Sequence, residues 1–429
     1  MYKALDARQS RLVALKVFRP DDLLQDLVET DELRRRFLAE ARLMHELQHR
    51  HVAAVIETGE YCGRPYLVQE YLCMNLAQLI GEAPEVEPPA RRLSPLRALE
   101  IADQTLQGLE HLHRAGVVHR DIKPANLHIT QDRQVKIIDF GLSRVRDQEL
   151  KYPPGVIVGS PYYAAPEQIE EPDKADLRAD LYALGVVLVR MVTGNLPEVR
   201  DLKDLDDELF GPEWRDFLKT ALAVDPGRRF NDAGSMLEAL SRLRRNWEKS
   251  RDRVCVLTAK EAGFRRSGPF LPRGEPLHTK ESKNLSFLEL DRLLQPRSHV
   301  RNQFQKTEDG MLDQTTMLVW GEVSKERMHF EQAHEYVRFL NQSRVWRLPT
   351  VDELVSLMQP RKSLEDFCGP ALMQLEKRFW LWSADTKSRS RAWLADMEQG
   401  AVMDEDRLCS FHVLLVRSAE KEELSVMNS

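Results

Sequence analysis

Lys16 closes an apolar run, Val13-Ala14-Leu15-Lys16, which reads as a buried strand, and Glu40 stands on the helical stripe that follows. Further on, His119-Arg120-Asp121-Ile122-Lys123-Pro124-Ala125-Asn126 puts an aspartate, a lysine and an asparagine in one loop. Asp139-Phe140-Gly141 comes directly after another strand-like run, and Ala165-Pro166-Glu167 closes the segment. Brought into one cleft, these residue types would serve phosphoryl transfer. That reaction needs a cation for the phosphates, carboxylate and amide oxygens for magnesium, and a carboxylate to orient a hydroxyl nucleophile.

The elements that must position them can be read from periodicity. Arg11–Phe18 is β-branched and apolar, bounded by Pro20, and predicts a strand. Leu33, Phe37, Leu38, Ala41, Met44 and Leu47 form a stripe that predicts a helix over Glu32–Gln48. Ala53–Glu57 and Tyr66–Tyr71 read as strands joined by a turn at Gly63-Arg64-Pro65. Ser94-Pro95 opens a helix as N-cap and first-turn proline, and its stripe runs to His113. Short strands are expected at Val117–His119, Leu127–Thr130 and Val135–Ile138, with helices from Ala179 to about Trp247. A small β-rich part before a larger helical part implies two lobes with a crevice between them.

Charge and composition narrow the partners. The 62 Lys and Arg are outnumbered by 68 Asp and Glu, giving a net charge of −6, so no basic field recommends nucleic acid. Hydrophobic residues at 42% and charged residues at 30% are the balance of a globular protein. Five scattered cysteines without a C-x-x-C pair argue against a disulfide framework or zinc site and fit a reducing compartment. The stretch Leu181–Val192 is interrupted by Arg190 and too short to span a bilayer, and Met1–Asp6 has no signal-peptide character. A cytoplasmic protein with no membrane span is expected.

Taken together, the motifs resemble the signature set of protein kinases, in the style of the bacterial eukaryotic-like (Hanks-type) Ser/Thr kinases. The resemblance covers roughly residues 1–245. It implies ATP with Mg2+ (Mn2+ as the alternative ion) and a protein substrate with a Ser or Thr acceptor. It also implies that Lys16 pairs with the phosphates and is held by Glu40, and that Asn126 and Asp139 hold the metal. By the same resemblance Asp121 and Lys123 are catalytic, orienting the hydroxyl and neutralising the transferring group. Ala14 and Leu127 would sandwich the adenine, with Glu70 to Leu72 offering backbone hydrogen bonds. Glu167 and Arg229 match a buried ion pair, Asp180 matches an aspartate bonded to the catalytic-loop backbone, and Ser160 should dock against Asp121 and Lys123.

The sequence departs from that pattern in two places. Met1-Tyr2-Lys3-Ala4-Leu5-Asp6 resembles the second half of the hairpin that carries the family's glycine-rich loop, so the loop is expected to be missing. That leaves a nucleotide-binding or non-catalytic kinase-like scaffold as the alternative function. Leu142–Gly159 contains Ser143 as its one Ser or Thr, so activity is expected without loop phosphorylation, with Asp147 or Glu149 as fixed anions.

Residues 248–304 read as a linker with one helix candidate, Leu285–Leu294. Beyond Thr307 come Trp320, Trp346, Trp380, Trp382 and Trp393, and Trp346-Arg347-Leu348-Pro349-Thr350 precedes a helix start capped by Thr350 with Glu353. This part resembles the C-terminal domain of a bacterial collagen-like adhesin, which implies a C-type-lectin-like fold binding an unknown ligand or protein. Neither a Glu-Pro-Asn nor a Trp-Asn-Asp calcium signature is present. Asp352, Glu353, Asp385 and Asp396 read as surface or capping groups, and the tryptophans as core. The expected fold class is therefore α+β: a two-lobed protein-kinase fold, its N-lobe truncated at the first strand, plus a small α+β, C-type-lectin-like domain. The expected divisions are 1–247 (lobes 1–73 and 74–247), linker 248–304, recognition domain 305–418 and tail 419–429.

Overall fold

Lys16 does lie on a strand, as its apolar neighbours require. β1 (Tyr2–Asp6) pairs antiparallel with β2 (Arg11–Val17), which pairs with β4 (Arg64–Glu70), and β3 (Val55–Tyr61) lies outside β4. The computed structural model describes residues 2–9, 11–19, 29–139, 144–145, 160–197, 207–254, 264–266, 271–281, 284–340, 345–360, 368–370, 380–420 and 423. Helix α1 (Thr30–Glu46) packs on β3 and β4 and buries Phe37, Ala41 and Met44. The β3–β4 turn falls one step earlier than expected. Cys62 and Gly63 both have positive φ, the signature of a two-residue hairpin turn, and Arg64 and Pro65 belong to the strand.

The helical part is built on α5 (Arg178–Thr193), every residue of which from Ala179 to Val192 is buried. Before it in the chain come α2 (Leu76–Ile80), α3 (Pro95–Arg114) and α4 (Pro166–Glu170). After it come α6 (Asp207–Ala221), kinked at Gly211 ahead of Pro212, and α7 (Ala233–Val254). Ser94 caps α3 by accepting from the Arg97 N–H, with Pro95 in the first turn as predicted. A small sheet of β5 (Met74–Asn75), β7 (Leu127–Ile129) and β8 (Val135–Ile137) carries the loop residues, and β6 (Val117–Val118) leads into that loop.

Residues 1–254 form one compact unit and 255–429 another. In the second, Leu318–Val323 pairs with Met311–Asp313 and Leu414–Ser418 in a four-stranded sheet, and Trp380–Thr386, Arg391–Asp396 and Ala401–Asp406 form a three-stranded one. Trp320, Leu354, Leu381, Trp393, Val402 and Leu414 fill its core. Trp380 and Trp382 are buried too, while Trp346 lies partly exposed beneath Arg417.

Three expectations for this half are corrected. The segment 248–304 is no mere connector, because Leu285, Leu288 and Val300 lie in the same core. Leu285–Leu294 is not helical: its apolar spacing serves that core, with Ser286 Oγ and the Phe287 N–H tied to Asp352. Asp352, Glu353, Asp385 and Asp396 are fully buried, which overturns the surface half of their reading, while the capping half holds at Glu353. Asp385 takes both guanidinium nitrogens of Arg273 at 3.0 Å, and Glu353 takes both of Arg347 while completing the predicted capping box with Thr350. Cys62 and Cys368 are free thiols, the first exposed and the second buried.

Candidate active site

The loop 119–126 is held from below by one aspartate. Asp180, fully buried in the first turn of α5, accepts from the N–H groups of His119 (2.8 Å) and Arg120 (2.7 Å) and from His113 Nε2 (2.9 Å). Burial works against its charge, but the hydrogen bond and charge of His113, with further help from His119, outweigh it and hold the carboxyl below the usual carboxylate range. These bonds fix Arg120 at φ 66°, a left-handed conformation that a non-glycine residue keeps only when its surroundings impose it. The His119 ring braces the loop: Nδ1 accepts from the Asp121 N–H and Nε2 donates to the Ile138 carbonyl at 3.0 Å.

Above this platform the reactive groups converge. Lys123 Nζ lies 2.8 Å from Asp121 Oδ2 and 2.8 Å from Ser160 Oγ, and Ser160 Oγ donates to Asp121 Oδ1 at 3.1 Å. Ser160 thus occupies the position expected of it. Asn126 Nδ2 donates to Asp121 Oδ2 (2.9 Å) and to the Asp121 carbonyl (2.8 Å), which turns its amide oxygen away from that pair. The Asn126 carbonyl accepts the Ile138 N–H, so Asn126 and Asp139 sit at adjoining ends of paired β7 and β8. Asp139, at φ 63°, receives Lys16 Nζ at 3.3 Å across 123 residues of sequence. Both side chains stay partly exposed, so a charged ligand can reach either one.

Mg2+ suits this donor set. A hard cation that keeps waters and shares phosphate oxygens needs only one or two protein oxygens, here the Asp139 carboxylate and the Asn126 amide oxygen. Among the described residues no group of three or more His, Cys, Asp or Glu could hold a metal alone, so the phosphates would have to complete the shell.

The nucleotide-side residues are only partly brought together. Ala14 and Leu127 are buried on β2 and β7. Glu70 spends its carboxylate on the Ala54 N–H and Lys136 Nζ, and the Leu72 carbonyl already accepts from His128 Nδ1 at 3.2 Å. Burial pushes the His128 imidazole down to about 4, against a weaker upward pull from that carbonyl. Sequence reasoning missed His128 and Lys136, because neither lies in a motif and their partners are more than 50 residues away. The side chain of Glu40 and the residues Phe140, Ser143, Asp147 and Glu149 lie outside the described set. Glu167 and Arg229 form the expected pair, bidentate at 2.7 Å.

Relatives agree with this geometry. A Streptomyces coelicolor protein named "Probable serine/threonine-protein kinase SCO3848" is 34% identical over 257 residues, 55% of this chain and 36% of that protein. The serine/threonine-protein kinases PknL and PknA of Mycobacterium are 32% and 34% identical, over 56% and 57% of this chain and 62% and 58% of their own lengths. The chain therefore spans from about a third to three fifths of these relatives. Residues 309–417 match the family described as Lcl C-terminal domain. The family described as Protein kinase domain matches residues 1–240, which is more than half of the 429 and contains every reactive group in the cleft, so this chain belongs to the protein kinase family.

Proposed function

We propose that this chain is an ATP- and Mg2+-dependent protein Ser/Thr kinase that works in the cytoplasm and carries a C-terminal recognition domain. The observation that supports it most is the approach of two contact sets, Lys16 with Asp139 and both Asn126 and Lys123 with Asp121, joined where the Ile138 N–H bonds the Asn126 carbonyl. In this reading Lys16 neutralises phosphate charge. Asp139 and Asn126 hold Mg2+, which supplies charge stabilisation to the transferring group when bound. Asp121 accepts a hydrogen bond from the acceptor hydroxyl and receives its proton, its carboxylate steadied by Ser160 Oγ on Oδ1. Lys123 balances the charge that develops between them. Ala14 and Leu127 flank the adenine, with Glu70 to Leu72 along its edge.

For the second unit, the Lcl C-terminal match supports a C-type-lectin-like module that recruits a substrate or senses a ligand. A fold of this kind does not identify what it binds. Calorimetric titration with ATP tests the nucleotide half of the proposal. Affinity should rise when Mg2+ is present, and Asp139→Asn should abolish that rise while leaving metal-free binding within about threefold. ATP binding indifferent to Mg2+ in the unaltered chain would remove the metal roles assigned here.

A further inference from the structure

Arg190 is a charged residue in the last turn of α5, a helix mostly apolar between Leu181 and Val192, and it is completely buried. Its guanidinium is nevertheless well provided for. Nε donates to Glu82 Oε1 (3.2 Å), Nη1 to the Gly194 carbonyl (2.8 Å), and Nη2 to the carbonyls of Val86 (2.6 Å) and Pro88 (2.9 Å). One side chain therefore ties down the connection between α2 and α3, residues 81–94. The backbone adds to this: Ala90 N–H bonds the Gly194 carbonyl at 2.7 Å and Leu93 N–H the Met191 carbonyl at 2.8 Å. Gly194 has φ 80°, and a Cβ there would meet the Ala90 oxygen at 2.5 Å, so the connection lies flush on the end of α5.

The other side of this strap faces the segment that carries Ser160. Tyr163 donates its hydroxyl to the Glu82 oxygen that Arg190 also holds, and Tyr162 donates to Glu87. Burial, then the Glu82 charge and hydrogen bond, raise the Tyr163 phenol above its ordinary range, so it remains a donor. Tyr163 in turn closes a tight turn on Ser160, whose carbonyl accepts the N–H groups of Tyr163 and Ala164, both at 2.9 Å. Ser160 Oγ is the group lying between Asp121 and Lys123.

We infer that Arg190 is a positioning residue for the acceptor side of phosphoryl transfer, acting through Glu82 and Tyr163 to hold Ser160 in register with Asp121 and Lys123. The inference rests on the kinase reading of that site. It makes the strap part of the surface that an acceptor chain meets. A buried ion pair alone could be exchanged for apolar residues without loss. A pair that also captures a phenol from the acceptor segment could not.

The test uses the full chain, dephosphorylated casein as acceptor, and the variants Tyr163→Phe, Arg190→Lys and Glu82→Ala. Tyr163→Phe removes only a hydroxyl and keeps the ring, so it carries the test if an Arg190 variant does not fold. The inference expects KM for casein to rise at least fivefold in Tyr163→Phe and Arg190→Lys, while KM for ATP stays within twofold. Tyr163→Phe should add little in a Glu82→Ala background, since both remove the same link. Hydrogen exchange at the Tyr163 and Ala164 amides should quicken in Tyr163→Phe even if no acceptor is supplied. Unchanged exchange there, or equal shifts in both KM values, overturns the inference. A wild-type chain that leaves casein unlabelled while these amides respond overturns the kinase reading instead.

Discussion

Lys16 and Asp139 face each other at 3.3 Å. Both remain partly exposed, so the pair itself is worth little to stability. Its value is electrostatic preorganisation, a cation and an anion already set where phosphate and metal charge would meet them. Lys16→Met should lower kcat/KM for phosphotransfer by roughly 10²–10³, in the range for removing one preorganised charge-stabilising group, with urea stability nearly unchanged. Steady-state kinetics beside an unfolding curve check both halves. At this scale the sequence was most legible. Lys16, Asp121, Lys123, Asn126 and Asp139 each sat in a short motif, while Asp180 and the Glu167–Arg229 pair were reached only through the family resemblance. What stayed hidden were groups defined only by distant partners, such as His128 under Leu72 and Glu82 between Arg190 and Tyr163.

Elements transmit those positions. β7 carries Leu127 and His128, and the His128 ring reaches the Leu72 carbonyl two residues beyond β4, so a change at His128 is passed to the stretch proposed to line the nucleotide. The folded imidazole titrates at about 4 and an unfolded one near 6.5. Above pH 6.5 both states are neutral and the group costs nothing. As pH falls from there the unfolded chain binds a proton that the folded chain refuses, and stability drops until about pH 4, by about 3 kcal/mol in total. His128→Gln should remove that part of the loss, read as a smaller difference between urea midpoints at pH 7 and pH 4.5 than in the wild type. His49 and His51, both lowered first by burial, add to the same slope and remain in the variant.

Helix α4 makes a second case. Glu167, in its first turn, receives both guanidinium nitrogens of Arg229, whose side chain is fully buried against Tyr182. Glu167→Ala strands that charge and should cost about 3–5 kcal/mol, measured by urea unfolding. Element boundaries were read less well than elements. The hairpin at Cys62-Gly63 was placed one residue late because Gly63-Arg64-Pro65 looks like turn chemistry, although its strand pairing runs through Arg64. The false helix at 285–294 has a related cause, since apolar spacing that serves a core does not reveal the backbone that delivers it.

The whole molecule consists of two units, each with its own core. Chains built this way seldom unfold in one step. Urea unfolding followed by tryptophan fluorescence should therefore show two transitions, with Thr350→Ala moving only one of them. That substitution removes the cap of Val351–Leu357 and its bond to the Arg273 carbonyl, at a cost of about 1–2 kcal/mol. The sequence indicated two domains but not where the second begins. Its early residues, Arg273 and Leu285 among them, find partners near Asp385 and Leu354 that no local pattern announces. Among the described residues no helix is long and apolar enough to cross a membrane.

The account stands on phosphoryl transfer in the cleft of the first unit. Its most direct measurement is the transfer of radiolabelled γ-phosphate from ATP to casein, with phosphoamino-acid analysis, for the full chain and for Asp121→Asn. The account predicts label on serine or threonine with Mg2+ present, reduced at least a hundredfold in the variant. Label on tyrosine alone, or equal label with and without the Asp121 carboxylate, would contradict it.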